Sequence, residues 1–124
     1  MFFPMSDPAI RETEWYLRDH LFRQSNAGKT TFKRESLPDE VAGLYLRYKN
    51  TDLERLSHLM APVIEILVAR KVLDQEGNDL KMRASLSRLQ CAKCFYINYL
   101  VGAEQRVCLR CGHSDLHDFP KKKA

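Results

Sequence analysis

The sequence predicts an α+β fold, in which a helix-rich N-terminal region precedes a small C-terminal β region. Through the N-terminal two thirds of the chain, apolar residues recur at helical spacing, and capping residues and prolines mark helix starts. The last third alternates apolar with polar residues and contains all four cysteines. The 124 residues are enough for one domain or for two very small ones.

Two helices are expected in the first part of the chain. The first begins at Asp7 and Pro8, where a carboxylate can cap the free amides, and ends near Gln24. Its apolar stripe and the flank of that stripe are formed by Ile10, Leu17, Leu21, Trp15 and Phe22. Its water-facing side is expected to consist of Arg11, Glu12, Glu14, Arg18, Asp19 and Arg23. A loop or short strand over residues 29–37 then leads to a second helix over residues 38–48.

The next segment favours a helix–turn–helix. Thr51 and Glu54 match a capping box, in which each side chain bonds the other's free backbone amide, so a third helix is expected to run to Met60. Proline has no amide to donate inside a helix. Pro62 is therefore expected to open a fourth helix, which follows a tight corner and ends at Lys71.

A β-hairpin is predicted after these helices, because residues 72–73 and 80–84 flank a polar loop with Gly77 and Asn78 at its centre. Two helices, a turn and a hairpin in this order resemble a winged helix-turn-helix, in which the second helix of the turn enters the DNA major groove. Here that helix, residues 62–71, is apolar on nearly every face. Such a helix indicates burial in the core, or a protein contact such as self-association, more than DNA reading.

The strongest motif is a pair of CxxC turns, Cys91/Cys94 and Cys108/Cys111, with thirteen residues between them. Zn²⁺ takes four soft ligands in a tetrahedron, and two facing CxxC turns supply them. Gly112 follows the second pair, where a positive φ lets backbone amides point at the sulfurs. Because a closed four-thiolate site has no open position for water or substrate, a Zn²⁺ held in this way would be structural.

A second hairpin is predicted between the two cysteine pairs. In its first strand, Phe95 and Tyr99 are expected to fill a small core, and Tyr96 is expected to lie on the opposite face. Residues 105–107 are expected to form the returning strand. With its cysteines, this segment resembles a zinc ribbon over residues 89–116. The resemblance implies that one structural Zn²⁺ is held by Cys91, Cys94, Cys108 and Cys111.

Three other interpretations of the cysteines are open. His113 and His117 could join Cys91 and Cys94 in a Cys₂His₂ site, although this would leave the second cysteine pair unexplained. A redox-active CxxC would make the protein a dithiol enzyme, but neither pair opens a clear helix in a strand–helix–strand unit. Structural disulfides are as little favoured as the redox interpretation, because CxxC pairs in a chain without a secretory signal point to metal.

Charge is distributed unevenly along the chain, which has a net charge of +4. From Lys81 onward, nine basic and three acidic residues give +6, whereas residues 1–80 carry −2. A polyanion is therefore expected to face the C-terminal third. Tyr96 would stack on an unpaired base, among basic side chains. The candidate nucleic-acid contacts are Lys81, Arg83, Arg88, Lys93, Tyr96, Arg106 and Arg110.

The predicted organisation is a helical domain with a winged-helix-like hairpin over residues 1–88, a small β zinc ribbon over residues 89–119 and a basic tail over residues 120–124. This module order resembles small transcription-associated proteins such as the archaeal transcription factor E family. The resemblance implies a non-enzymatic regulatory or accessory factor in transcription or another nucleic-acid process, in which the basic ribbon contacts nucleic acid.

The alternative function is a protein–protein adaptor or assembly component with a purely structural ribbon. It would use the apolar helix over residues 62–71, together with Phe2 and Phe3, to bind a protein partner, a larger complex or a second copy of the chain as a homodimer.

An enzyme is not expected, because His20 and His58 have no partnered nucleophile or carboxylate in the sequence pattern. A membrane protein is not expected either. The longest apolar stretch, residues 59–69, is interrupted by Glu65 and is shorter than the roughly 20 residues that span a bilayer. The opening residues lack the pattern of a secretory signal, so a cytoplasmic location is expected.

Overall fold

Three helices and two small antiparallel sheets make up the described part of the chain, residues 8–45, 48 and 50–119 of a computed structural model. The mixed α+β class is as predicted. In chain order the elements are α1 Pro8–Asn26, β1 Thr31–Lys33, a 3₁₀ turn Arg34–Ser36, α2 Leu37–Leu44, α3 Leu53–Ala69, β2 Leu73–Glu76, β3 Asp79–Met82, β4 Ser87–Cys91, β5 Ile97–Leu100 and β6 Leu116–Asp118. The predicted cap Asp7, the aromatic pair Phe2 and Phe3, and the basic tail lie outside the described residues.

Helix α1 is covered on more than one side. Its predicted apolar stripe is buried, and Leu17 and Leu21 are fully inaccessible to solvent. The prediction that the other side faces water is wrong for Glu14, Arg18 and Asp19, which are 3%, 1% and 1% exposed. The reason is that α1 packs against both α3 and β5, so the polar side chains between the helix and β5 are enclosed.

A single helix, α3, replaces the predicted helix–turn–helix. It runs without interruption from Leu53 to Ala69 and contains Pro62 in its interior. Its buried residues form one stripe at helical spacing on both sides of the proline: Leu56, Met60, Val63, Ile64 and Leu67. Burial of this stripe offsets the roughly 3 kcal/mol that an interior proline costs a helix. The apolar half of α3 thus faces the core, as expected.

Both ends of α3 are capped by residues that the sequence reasoning did not assign. The N-cap is Asp52 and not Thr51, because the Asp52 Oδ1 accepts a hydrogen bond from the Glu54 amide at 3.1 Å. At the C-terminal end, Lys71 has a φ of 63°, which lets the amide of the following residue bond to the Leu67 carbonyl at 2.9 Å.

The first sheet joins β1, β3 and β2 in that order, with all strands antiparallel. The predicted hairpin is β2–β3, and its turn consists of Gly77 and Asn78 alone. Gly77 has a φ of 61°, a conformation that glycine adopts without steric cost and that tight hairpin turns favour. Helix α2, which packs beside α3, ends before the predicted Tyr48 because Tyr45 is extended, with φ −119° and ψ 121°.

The second sheet joins β5, β4 and β6 in that order. The predicted partner of the strand after Cys94 is wrong, because β5 pairs with β4 and residues 105–107 form no strand. The first CxxC turn itself reverses the chain, with the Cys91 amide bonded to the Tyr96 carbonyl at 3.0 Å, so the nearest partner is the strand before the turn. We call residues 87–119, which comprise this sheet and both CxxC turns, the cysteine module.

One apolar core connects the cysteine module to the helices. Tyr99 and Val101 are buried together with residues from all three helices and from the first sheet. A smaller cluster lies within the module and consists of Leu89, Cys91, Leu100, Cys108 and Leu116. Strand β5 is therefore covered on both faces, with Tyr99 in the main core and Leu100 in the smaller cluster.

Candidate metal centre

The four cysteines converge in the cysteine module, as the sequence predicts. Cys91 is the last residue of β4, Cys94 lies in the turn that follows, and Cys108 and Cys111 lie in the second turn. All four Sγ atoms lie within 4.8 Å of one another. The Sγ atoms of Cys91 and Cys111, and those of Cys94 and Cys108, are 3.6 Å apart. A tetrahedral ion with Zn–S bonds near 2.3 Å separates its sulfurs by about 3.8 Å, so the cluster fits one zinc-sized ion.

Backbone amides surround the sulfurs in the same way in both CxxC turns. The amides of Lys93 and Cys94 donate to the Cys91 Sγ at 3.4 and 3.5 Å, and the Arg110 amide donates to the Cys108 Sγ at 3.4 Å. Such hydrogen bonds hold a thiolate in place and stabilise its charge. Each pair therefore contains one sulfur that the backbone prepares for metal binding.

The residue after each pair has a left-handed backbone conformation, with φ 79° at Gly112 and 62° at Phe95. The positive φ predicted for Gly112 is confirmed, and the first turn adopts the same conformation without a glycine. The prediction that Phe95 fills a small core is wrong, because its side chain is 68% exposed. Phe95 ends the turn and does not belong to the strand, which begins at Ile97.

The cysteine thiols differ in acidity. Loss of water contact opposes ionisation of Cys108, but hydrogen bonds from the Cys111 amide, the Asn98 side chain and the Arg110 amide lower its pKa to about 6. Burial likewise opposes ionisation of Cys91, whose pKa is nevertheless lowered by two amides of its own turn. The Tyr96 amide favours ionisation of Cys94, but burial and proton sharing with the other three thiols raise the pKa of Cys94 to about 12. A divalent cation would compensate the thiolate charge that the site gathers.

The two histidines of the alternative Cys₂His₂ set lie outside the four-sulfur group in the part of the chain that the structure describes. His113 contributes its carbonyl oxygen, which accepts a hydrogen bond from the Cys108 amide at 2.8 Å. His117 lies on β6, opposite Gln90. The geometry therefore favours the four-cysteine set.

Most of the candidate nucleic-acid contacts bind other parts of the protein. Arg83 forms an ion pair with Asp74 at 3.0 Å, and the Arg106 guanidinium donates to the Leu116 carbonyl at 3.1 Å. The Arg88 guanidinium lies over the rings of Phe22 and Phe119, 5.1 and 5.6 Å from their centroids. Lys81 is exposed on β3 of the first sheet, and Lys93 is exposed in the first CxxC turn.

Two of the predicted contacts, Tyr96 and Arg110, come together beside a cavity. The Arg110 guanidinium lies 5.9 Å from the centroid of the Tyr96 ring. The cavity has a volume of about 330 Å³ and separates α1 from the cysteine module. Burial in its wall, with the Glu14 carboxylate nearby, raises the pKa of Tyr96 to about 12. Sequence reasoning missed the residues that α1 contributes, which include Arg11, Glu14, Trp15 and Tyr16.

A buried ionic network joins the same helix to the module. Arg18 donates to Glu14 at 2.9 Å, to both carboxylate oxygens of Glu104 at 2.8 and 2.7 Å, and to the Tyr99 carbonyl at 2.5 Å. Burial opposes the charge of Arg18, but the two carboxylates outweigh it and raise the pKa of the guanidinium. The only sequence signal of this network is the i, i+4 spacing of Glu14 and Arg18, which is equally typical of a solvated helix face.

Comparison with protein-family models, with curated proteins and with solved structures found no match for this chain. Among the described residues, no helix combines the length and the apolar character needed to cross a bilayer. Any functional assignment must therefore rest on the geometry of the site.

Proposed function

We propose that this protein is a non-enzymatic accessory factor in transcription or another nucleic-acid process, in which a zinc ribbon contacts nucleic acid. The observation that carries the proposal is the convergence of the four sulfurs within 4.8 Å of one another. One Zn²⁺ held by Cys91, Cys94, Cys108 and Cys111 would have a closed coordination shell and would serve to order the module.

The order of elements supports a winged helix ahead of the ribbon. Residues 8–82 run α1-β1-α2-α3-β2-β3, and their sheet has the strand order β1-β3-β2. This order supports a winged-helix-like unit, in which α2 and α3 would be the two helices ahead of the β2–β3 hairpin, in place of the two helices predicted within residues 51–71. The exposed residues of α3 include Glu54, Arg55, His58 and Glu65, a mixed set of charges that does not favour a polyanion. We therefore assign the nucleic-acid contact to the cysteine module.

Exposed cations and an aromatic ring support that assignment. Lys93 and Arg110 are exposed in the two CxxC turns, and Arg110 lies beside the half-buried Tyr96. Basic side chains interleaved with an aromatic ring are typical of surfaces that bind single strands, where the cations bind phosphates and the ring stacks on bases.

Metal analysis tests the zinc proposal. The purified protein is expected to hold one zinc per chain, and Cys91→Ser and Cys108→Ser are expected to lose it, because each removes one of four ligands. His113→Ala and His117→Ala are the matched controls and are expected to retain the metal. A protein that is metal-free as purified and folded in strong chelator would reject the assignment.

Fluorescence anisotropy tests the nucleic-acid contact. Labelled single- and double-stranded oligonucleotides are titrated at two salt concentrations, and affinity is expected to fall as salt rises, because phosphate contacts release counterions. The double variant Lys93→Glu and Arg110→Glu is expected to bind at least about tenfold more weakly at low salt. Arg55→Ala, on the exposed face of α3, is the control. Absence of salt-dependent binding at micromolar protein would reject the nucleic-acid role.

A protein–protein adaptor is the second candidate function. The apolar residues of α3 are buried, so an adaptor would use other side chains. Leu44 and Leu53, at the end of α2 and the start of α3, are 61% and 45% exposed. Light scattering on the wild type and on the Leu44→Ser and Leu53→Ser double variant tests self-association. A mass that rises with concentration only in the wild type favours the adaptor.

A further inference from the structure

We infer that the cavity between α1 and the cysteine module binds one unpaired nucleobase of a single-stranded nucleic acid. This inference rests on the proposed function and names the ligand of its contact site. The site joins residues from two distant parts of the chain, so that neither part forms it alone.

Aromatic side chains line the cavity on both sides. Trp15 and Tyr16 come from α1, and Tyr96 comes from the module. Trp15 is held in place because its indole N–H donates to the Ile97 carbonyl at 2.7 Å. The volume of about 330 Å³ is at the lower end of the roughly 300–1,000 Å³ of small-ligand pockets, so it suits a single heterocycle. A planar base would stack on these rings.

The Glu14 carboxylate supplies a hydrogen-bond acceptor in the cavity wall. Its side chain is 4% exposed, and its Oε2 accepts from the Arg18 Nε at 2.9 Å. Within the described ranges, no donor reaches its Oε1, which is fully buried. A buried carboxylate oxygen without a donor is unfavourable, so a ligand N–H group that reached Oε1 through a small shift of the cavity wall would be favoured there. The exocyclic amino groups of adenine, guanine and cytosine meet this requirement, whereas thymine and uracil present carbonyl oxygens on either side of one N–H.

Cations on either side of the cavity favour a base that belongs to a strand. Arg11 on α1 and Arg110 on the module both line the cavity and are exposed. The acidic residue Glu12, which follows Arg11 in the sequence, also lines the cavity. Because the two arginines come from different elements, they can bind the phosphates on the two sides of an inserted nucleotide.

The test uses DNA strands in which every position is abasic except a single central base. All such strands carry the same phosphates, so differences in affinity report on the base alone. Strands with central cytosine, adenine or guanine are expected to bind at least about fivefold more tightly than the fully abasic strand, and central thymine less tightly than these three. Trp15 is the only tryptophan of the chain, so quenching of its fluorescence by the base-containing strands reports stacking in the cavity.

Variants of the cavity separate base recognition from phosphate binding. Tyr96→Leu is expected to reduce the preference for base-containing strands by a larger factor than it reduces affinity for the abasic strand, because Tyr96 also contacts Arg110. Glu14→Gln is expected to abolish the discrimination against thymine, because an amide can donate to a carbonyl. Arg55→Ala, whose residue lines no part of the cavity, is the control. Metal content and thermal melting are measured for each variant to check that it is folded. Tyr96→Leu leaves the ion pair of Glu14 and Arg18 intact, so it tests base recognition even if Glu14→Gln does not fold.

The outcomes distinguish this inference from the proposed function. Equal affinity for abasic and base-containing strands, without quenching of Trp15, would overturn the inference and leave phosphate contact by the module standing. Binding to neither strand would reject both. Free cytidine monophosphate or guanosine monophosphate is compared with the strand at the same concentration. If the free nucleotide quenched Trp15 as strongly as the strand, the assignment to a strand would be overturned and a free nucleotide would be indicated.

Discussion

Asp19 is a buried carboxylate that connects α1 to two other parts of the chain. It accepts hydrogen bonds from the Tyr45 hydroxyl at 2.6 Å, from the Arg23 Nε at 2.9 Å and from the Tyr99 hydroxyl. Burial alone would raise the pKa of Asp19, but these three donors together hold it below the ordinary value of 3.8. A carboxylate with a lowered pKa stabilises the folded state at neutral pH.

Asp19→Asn is expected to lower the free energy of unfolding by about 3 kcal/mol at pH 7, because hydrogen bonds to a buried charge are lost. Below pH 3.8 the unfolded chain takes up a proton that the folded protein does not, so the contribution of Asp19 falls as the pH falls through its lower folded pKa. Urea unfolding of both proteins at pH 7 and pH 3 measures this. A difference between them that is the same at both pH values would contradict the expectation.

Lys71 is a non-glycine residue in the left-handed conformation that ends α3. Its amide bonds to the Val68 carbonyl at 3.1 Å, in the pattern that usually places a glycine at this position. Lys71→Gly is therefore expected to raise stability by about 1 kcal/mol. Lys71→Ala keeps the Cβ atom and removes the same charge, so it serves as the control and is expected to give no gain. Equal effects of the two substitutions in denaturant melts would count against backbone strain.

Helix α3 is the element in which packing overrides a local signal. The apolar stripe continues on both sides of Pro62, and its burial holds the two halves in one helix. A break at the proline would turn one half of the stripe away from the core. The loss of one backbone hydrogen bond costs less than this exposure would.

Pro62→Ala is expected to stabilise the protein by about 2 kcal/mol, because alanine restores the missing amide and removes the clash with the preceding turn. Pro8→Ala, at the first position of α1, is the control and is expected to change stability by less than about 0.5 kcal/mol. Thermal and urea unfolding measure both. If Pro62→Ala did not raise stability, the backbone carbonyl that lacks its helical donor at Pro62 would have to accept a hydrogen bond from another group.

Strand β5 shows how one element can belong to two clusters. Tyr99 packs with the helices, and Leu100 packs with the cysteines. The prediction that buried and exposed side chains alternate along this segment assumed that only one face of the strand is buried, as in an isolated ribbon. Because α1 covers the other face, Asn98, Tyr99 and Leu100 are all buried.

At the scale of the whole molecule, the four-cysteine site and the helical core are joined through strand β5. Cys91 and Leu100 belong to the small cluster of the cysteine module, whereas Tyr99 and Val101 belong to the core that the helices share. Arg18 and Glu104, which are 86 residues apart in sequence, form an ion pair at 2.7 Å between the two parts. Loss of order at the cysteines is therefore expected to affect the helices.

Metal removal is expected to destabilise the whole described fold and not the module alone. Cys108→Ser, or strong chelator, is expected to lower the melting temperature by about 10 °C or more, because metal binding energy is folding energy in small metal sites. The Trp15 fluorescence and the helical circular dichroism should change in the same transition. His117→Ala is the control. A helical signal that melts unchanged after metal loss would show that the two parts are independent.

Local features of the sequence were sufficient to predict several parts of the structure. The spacing of the CxxC pairs predicted that four sulfurs meet, because each turn depends on only a few consecutive residues. The β2–β3 hairpin at Gly77 and Asn78 was predicted for the same reason. Helical periodicity also identified the apolar stripe of α1, and the almost wholly apolar composition of residues 62–71 indicated that this half of α3 is buried.

Contacts between distant segments decided the rest. Packing of α1 against distant segments, which include β5, α3 and Tyr45, buries Glu14, Arg18 and Asp19, which the helical pattern alone assigns to water. Packing of α3 on the core makes one helix of two predicted ones. The cavity combines residues from both ends of the described chain. Its existence depends on tertiary contacts, whose free energies arise from surfaces that are far apart in the sequence.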